Sequence, residues 1–444
     1  MSNRSDKIFR VGVLGCGTVG SGVIKILLES RPPLKDKTGL DIRLHKVAEK
    51  DEKKVRAARL DPALWTPDAQ AVIHDPTIDI LVEVIGGLEP ARSFILAGLK
   101  TGKAVVTANK ALLARHGREL FEAALAAKSS IGFEASVCGG VPIIGAIRDG
   151  LVANRIESII GILNGTTNYI LTRMIQSGVS YQQALAEAQS KGYAEADPTF
   201  DVKGLDAAHK LVLLSDLAFH SMFAFEDVYA EGIDSIRLED VRFADELGYT
   251  LKLLAIAKRQ SSDTDSKGLM SGLELRVHPT LIPHSHPLAN VRDVFNAVLV
   301  RGDATGEVMF YGRGAGMMPT ASAIVADIAD AARGSARQTF TKLQFFQNPR
   351  ADLPVIPIAQ TRNRYYVHFN VQDRPGVMGK IATVLGEHSV SIASVIQKEP
   401  QEDGDVPVVM LTHHTIEERF KAALQQIESL PFVRQQSCFF RVED

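Results

Sequence analysis

The stretch "FRVGVLGCGTVGSGV" near the start of the chain leaves few folds open. An apolar, strand-like run ends in Gly15, Gly17 and Gly20 at G-x-G-x-x-G spacing, and a helical pattern begins at once. Each glycine answers a separate steric demand. Gly15 permits a tight turn, Gly17 lets backbone approach a pyrophosphate, and Gly20 lets the next helix lie close on the strand. Phosphates then sit at the helix N-terminus, where unpaired N–H groups point at them. The spacing, with a strand before it and a helix after it, predicts dinucleotide binding by Gly15, Gly17, Thr18, Val19 and Gly20. The alternative is a Gly-rich turn that serves another ligand in an α/β domain.

The chain beyond this turn favours dinucleotide binding. "DIRLHKVAEK", "IDILVEVIGG" and "KAVVTANK" read as strands, with helix-period segments "PARSFILAGLKTG" and "ALLARHGRELFEAALAAKS" between them. Continuous Val/Ile/Leu strands separated by helices imply a parallel sheet covered on both faces, a Rossmann-like α/β arrangement. At 444 residues the chain is too long for one core. The middle third mixes strands and helices, which predicts an α+β domain. After the Pro- and Asn-containing "QNPRADLPVIPIAQTRN", the order becomes β-α-β-β-α-β, the ferredoxin-like arrangement. The expected division is 1–138 for the dinucleotide domain, with a returning segment at about 312–335. Residues 139–311 form a substrate and dimerisation domain, 336–362 a linker, and 363–444 the ferredoxin-like domain.

Composition removes several functions. The chain is 45% hydrophobic and 23% charged with a formal net charge of -2, so nothing draws it to nucleic acid or an anionic membrane. It has no apolar run of the roughly 18 residues a membrane span needs. "MSNRSDKIFR" lacks the apolar segment of a signal peptide. Cys16, Cys138 and Cys438 are far apart and lack metal spacing, which fits a reducing cytoplasm. A homodimer or homotetramer is expected, because paired subunits are the commonest soluble assemblies.

Cofactor choice belongs to the end of the second strand, where an acidic residue binds ribose hydroxyls and a basic one the 2'-phosphate of NADP. Glu49 and Lys50 both stand there, with Lys53 and Lys54 behind, so NAD and NADP both stay open. Lys110 ends "VVTANK" at the carboxyl end of a parallel strand, where ligands bind in doubly wound sheets. Further on, "GYAEADPTFDVKGLDAAHK" concentrates charge: Glu195, Asp197, Asp201, Lys203, Asp206 and Lys210. Asp206 and Lys210 share a face if the segment is helical. Such a pair also stabilises a plain surface helix by about 0.2–0.5 kcal/mol, and "EADP" is a good helix start.

Several blocks together resemble one family, the homoserine dehydrogenases: "VGVLGCGTVGSGV", "IDILVEVIGGLEPA", "KAVVTANKALLARHG", "FEASVCGGVPII", "ILNGTTNYIL", "GYAEADPTFDVKGLDAAHK" and "GRGAGMMPTASAIVADI". The resemblance implies reversible NAD(P)-dependent interconversion of L-homoserine and L-aspartate 4-semialdehyde. It makes Lys210 the acid/base residue, Asp206 its partner and a substrate anchor, and Lys110 a second lysine on the proton path. Glu195, Asp201 and the backbone of Gly192 become substrate contacts. Thr107, Asn109, Gly86 and Gly87 shape the nicotinamide side, and the turn at Gly314 and Gly316 returns to the cofactor domain. "EASVCGGVPI" resembles the family's sodium loop, with Glu134, Val137, Gly139 and Val141 at the matching positions. Cys138 stands where Ala or Gly is more usual, and Lys203 where a small or acidic residue is.

The tail, with "VQDRPGVMGKIATVLGEHSVSIASVIQ", resembles the ACT regulatory module. That implies feedback by L-threonine, with Asp373, Gly376, Ile392 and Ser394 as contacts. Two other readings compete. One is another nicotinamide-dependent amino-acid oxidoreductase, which would not need this carboxylate–lysine array. The other is a non-catalytic amino-acid sensor, distinguished by cofactor binding without turnover.

Overall fold

A computed structural model describes residues 7–260, 272–342, 353–397 and 405–444. The part of the expected linker at 343–352 lies outside the described residues.

The chain begins β1 (Ile8–Leu14), α1 (Thr18–Glu29), β2 (Asp41–Ala48), β3 (Trp65–Thr66), β4 (Ile80–Glu83), α2 (Ala91–Lys100), β5 (Ala104–Thr107), α3 (Lys110–Ala126) and β6 (Ile131–Gly132). It continues through β7 (Ile156–Ile162), α4 (Gly165–Ser177), α5 (Tyr181–Ser190), α6 (Leu205–Phe219), β8 (Tyr229–Ala230) and α7 (Leu238–Glu246). Next come β9 (Tyr249–Gln260), β10 (Gly272–Pro283), β11 (Phe295–Gly302), β12 (Gly306–Arg313) and α8 (Met317–Arg333). The last elements are β13 (Arg362–Gln372), α9 (Val377–Glu387), β14 (Ile392–Gln397), β15 (Asp405–Thr412), β16 (Thr415–Ile416), α10 (Glu417–Glu428) and β17 (Cys438–Val442). These elements gather into two compact units. One takes Met1–Ile159, His209–Glu226 and Asn296–Leu353; the other takes Ile160–Ala208, Asp227–Phe295 and Pro354–Asp444.

In the first unit six parallel strands lie in the order β3-β2-β1-β4-β5-β6. The order reverses beside β1, the kind of switch point where open α/β sheets take ligands. Val11, Val13, Val82 and Val106 are fully buried in the sheet, and Val23, Ile24, Ala321, Ile324 and Ile328 cover it from α1 and α8. Each such large aliphatic side chain contributes about 1.5–3 kcal/mol on burial. The late helix α8 is therefore part of the core that the first strands begin.

In the second unit the strands lie in the order β9-β10-β17-β13-β15-β14. β13, β14, β15 and β17 with α9 and α10 make the ferredoxin-like module, closed by Tyr365, Phe369, Met410, Phe420 and Ile427. One pairing joins that module to the rest of its unit: β17 runs parallel to β10, with Arg441 opposite Thr280 and Val442 opposite Leu281. Among the described residues, no helix is long and apolar enough to cross a membrane.

Candidate active site

The turn after β1 has the geometry that its glycines allow. Gly15 sits at φ 103°, and a side chain there would strike the Val84 carbonyl. A Cβ on Gly20 would come within 2.1 Å of the Gly15 carbonyl oxygen, so α1 can lie this close only with glycine. Gly17 is different: nothing lies within 4 Å of where its Cβ would be. That open space, at the N-terminus of α1 where Thr18 and Val19 come next, fits a pyrophosphate pressed against backbone.

Beside the turn is a cavity of about 230 Å³ whose wall includes Gly15, Gly17, Glu49, Lys50, Lys54 and Ile85. Glu49 is fixed by two backbone donors, the N–H of Cys16 at 2.8 Å and that of Asp51 at 3.0 Å. A carboxylate and two lysines thus border one cavity.

Glu83, at the end of β4, carries no motif that marks it in the sequence. It is fully buried and accepts from the N–H of Ile85 (2.8 Å) and Gly86 (3.3 Å) and from the Thr107 hydroxyl (2.7 Å). Thr107 Oγ1 accepts from the Asn109 N–H, and Asn109 Nδ2 donates to the Gly87 carbonyl. One carboxylate therefore ties the ends of β4 and β5 together and shapes the loops that hold Gly86 and Lys110. Lys110 is the first residue of α3, half-buried behind the Asn109 cap. Gly314 is buried against the Asn296 side chain, and Gly316, at φ 120°, opens α8.

Glu134 lies in the same unit. Its two oxygens accept from the N–H groups of Ile144 (2.8 Å) and Gly145 (2.7 Å), and its own N–H donates to Asp327. Burial raises the Glu134 carboxyl above its usual range and pushes Asp327 up to about 7. The carbonyls of Val137 and Gly139 have no hydrogen-bond partner among the described residues, whereas that of Val141 accepts from Ile143 at 2.8 Å. Cys138 holds φ 53° and takes a hydrogen bond from Asn296 on its sulfur.

The charge-rich stretch belongs to the second unit as far as Ala208, and its last residues, Lys210 among them, to the first. Asn164 caps α4, its Oδ1 accepting from the Thr167 N–H at 2.8 Å. Its Nδ2 donates to both Asp201 Oδ1 and Asp206 Oδ2, each at 2.8 Å. One amide thus holds two acids that lie 37 and 42 residues further along the chain. Thr166 donates to the Tyr193 carbonyl and Gln189 to that of Glu195, which set the loop between α5 and the short helix Thr199–Val202. Gly192 in that loop has φ 71°. Asp197 precedes the N-cap residue Pro198; its carboxylate accepts the Thr199 N–H at 3.1 Å, and bonding to Thr199 holds it below the usual carboxylate range. Lys203 pairs with Asp234 at 2.7 Å, which accounts for its charge. Asp206 is 4% exposed and Lys210, one turn along α6, is 8% exposed, so neither belongs to a solvated helix face. Glu195 is exposed.

In the ferredoxin-like module, Gly376 opens α9 at φ 87° and is exposed with Asp373 and Ser394; Ile392 is half-buried. Among the described residues, Glu239, Asp240 and His368 come close enough together to hold a metal. Arg237 already stands there, donating to Asp240 at 2.8 Å, so the cluster has its own cation.

Known proteins resemble the chain over nearly its whole length. The homoserine dehydrogenase family matches residues 142–329, the homoserine dehydrogenase NAD binding domain residues 15–134, and the ACT domain residues 365–432. A homoserine dehydrogenase from Pseudomonas aeruginosa is 43% identical over 98% of this chain and 99% of its own length. The crystal structure of one from Thiobacillus denitrificans is 45% identical, covers 99% of both chains and superposes with a TM-score of 0.91. A hyperthermophilic archaeal homoserine dehydrogenase, solved in complex with NADPH, is 26% identical over 74% of this chain and 98% of its own, with a TM-score of 0.61.

Proposed function

Since the chain belongs to the homoserine dehydrogenase family, with an NAD-binding domain and an ACT domain, we propose that it interconverts L-homoserine and L-aspartate 4-semialdehyde. The observation that carries the reading is the Asn164 amide, which holds Asp201 and Asp206 together at the start of the helix that bears Lys210. Two carboxylates fixed in this way suit the substrate's ammonium group, with Glu195 and the Gly192 backbone as further contacts.

A bound nicotinamide cofactor supplies the hydride acceptor. Lys210 takes the hydroxyl proton as the carbon beside it loses hydride, and returns that proton in the reverse direction. Lys110 orients the substrate from the end of β5. Its placement rests on Glu83, Thr107 and Asn109, and the turn from Gly15 to Gly20 would take the pyrophosphate against backbone. Glu49 would accept from ribose hydroxyls and Lys50 and Lys54 would offer a counter-charge to a 2'-phosphate, so the cavity suits NAD and NADP alike. A sodium ion would be held by Glu134 with the carbonyls of Val137, Gly139 and Val141. Oxygen-only ligation suits a hard cation, which would neutralise a buried acid and fix a strained loop. L-Threonine at Asp373, Gly376, Ile392 and Ser394 would inhibit.

Absorbance of reduced nicotinamide during homoserine oxidation tests the proposal in wild type and Lys210→Ala, with either cofactor and with threonine titrated. Turnover in the wild type should fall by roughly 100-fold or more in the variant, the usual worth of a positioned acid–base group. No wild-type turnover, or an undiminished kcat in the variant, would refute it. A rate indifferent to threonine would remove the feedback reading alone.

A further inference from the structure

Away from these residues, the second unit contains a cavity of about 290 Å³ between α4, α7 and β9, with Lys252, Arg292, Thr250, Asn290 and His284 on its wall and one carboxylate, Asp245, beside His284. Lys252 is 1% exposed. Its ammonium donates to Asn168 Oδ1 at 3.1 Å and to the Val291 carbonyl, both neutral acceptors. Neither Lys252 nor Arg292 has a carboxylate within ion-pair distance among the described residues. His284 has one, Asp245 at 3.3 Å. An ammonium has three donors, so the two bonds leave one N–H of Lys252 unused and its charge without an ion-pair partner. Burying a charge in that state is costly, and a neutral donor would serve Asn168 and Val291 without that cost. Burial and the nearby Arg292 charge push the Lys252 ammonium down to about 8, and Asp293 opposes them only in part.

We propose that this cavity is a binding site for a small oxyanion, an organic carboxylate or inorganic phosphate, held between Lys252 and Arg292. The oxyanion supplies the missing counter-charge to Lys252 and accepts its remaining N–H, while Arg292 closes on it from the exposed side. Occupancy has a route to other residues. Asn168, which Lys252 engages, also donates to the Asp293 and Phe295 carbonyls, and it lies one turn along α4 from Asn164. A ligand on Lys252 therefore acts on the residue that holds this loop, and on the helix whose cap holds Asp201 and Asp206.

The test uses the full-length protein with NADP present at saturation, so that the glycine turn after β1 is filled and cannot take the probe. Sodium phosphate and sodium succinate are titrated separately at constant ionic strength, and binding is read by calorimetry and by the rise in Tm. Saturable binding of one probe is expected, and which probe binds identifies the source of the oxyanion. Arg292→Ala should weaken it at least ten-fold, and Lys252→Gln likewise, while Arg301→Ala, an exposed arginine outside the cavity, should leave it unchanged. If Lys252→Gln does not fold, Arg292→Ala decides alone, since its side chain is exposed. Absence of saturable binding for both probes overturns the proposal, as does binding of equal strength in Arg292→Ala. The readout is binding, so it stands or falls independently of turnover on homoserine.

Discussion

Asn164 shows how much can depend on one side chain whose neighbours in sequence give no hint of it. Both its donors and its acceptor are engaged, so it fixes a helix start and two acids together. Asn164→Ala should lose about 1 kcal/mol for the cap alone. It should also raise KM for homoserine about ten-fold, because Asp201 and Asp206 lose their shared donor. Asn164→Asp separates the two effects. Aspartate caps as well as asparagine, so much of the helix start survives, but a third carboxylate beside two others should raise KM further. Thermal unfolding and steady-state kinetics on the pair check this; equal KM values in wild type and Asn164→Asp would contradict it. Asp201, Asp206 and Lys210 are legible in the sequence, since a concentration of charge is visible locally. Asn164 stands in "ILNGTTNYIL" with no mark of its role, because its partners are distant along the chain. Glu83 is hidden for the same reason: in "LVEVIGG" it looks like a polar interruption of a strand, and only the fold brings Thr107 to it.

The elements differ in how plainly the chain announces them. β1, its turn and α1 are written in contiguous residues, and the steric roles expected of the glycines reappear in the structure. Gly17 and Gly20 differ in what a methyl group would do. Gly20→Ala forces a Cβ into the Gly15 carbonyl, so α1 must move, at a cost of about 1–3 kcal/mol in stability together with weaker cofactor binding. Gly17→Ala meets no protein atom, so Tm should hold while the cofactor Kd rises at least ten-fold. Differential scanning calorimetry with a nucleotide titration decides it, and a Gly17→Ala variant that binds normally would sink the reading. The ferredoxin-like order is equally legible, because its strands and helices alternate at clear periods. The parallel pairing of β17 with β10 is not. Two short segments far apart in the chain leave no local mark of meeting, and β17 reads only as the last strand of its own module.

At the scale of the whole molecule, that pairing brings a set of buried charges with it. Arg441 on β17 is held by Glu417 through two bonds of 2.7 Å and reaches Glu231 at 3.0 Å. Glu443 binds Lys258 and Arg276, and Arg276 is itself 2% exposed. Burial alone would raise the Glu417 and Glu443 carboxyls, but Arg441 for the first, and Arg276 and Lys258 for the second, leave both below their usual range. An acid depressed on folding adds stability above its unfolded value, and that stability is lost as pH falls through the folded one. Each contributes up to about 1.4 kcal/mol per pH unit across that window. The Tm, followed by circular dichroism, should therefore drop steeply below about pH 4.5. Glu417→Gln should be less stable at pH 7 by about 3 kcal/mol, since it strands a buried arginine, yet decline less steeply in acid. Parallel pH profiles would show that these charges do not set the acid limit. The same arrangement bears on descent. A lineage that lost residues 363–444 would not shed a bead from a string: it would bare the edge of β10 at Thr280 and Leu281 and leave Arg276 and Lys258 without Glu443. An open strand edge invites self-association. Losing the ACT module therefore asks for compensating changes on β10 and at these two cations, not a simple truncation.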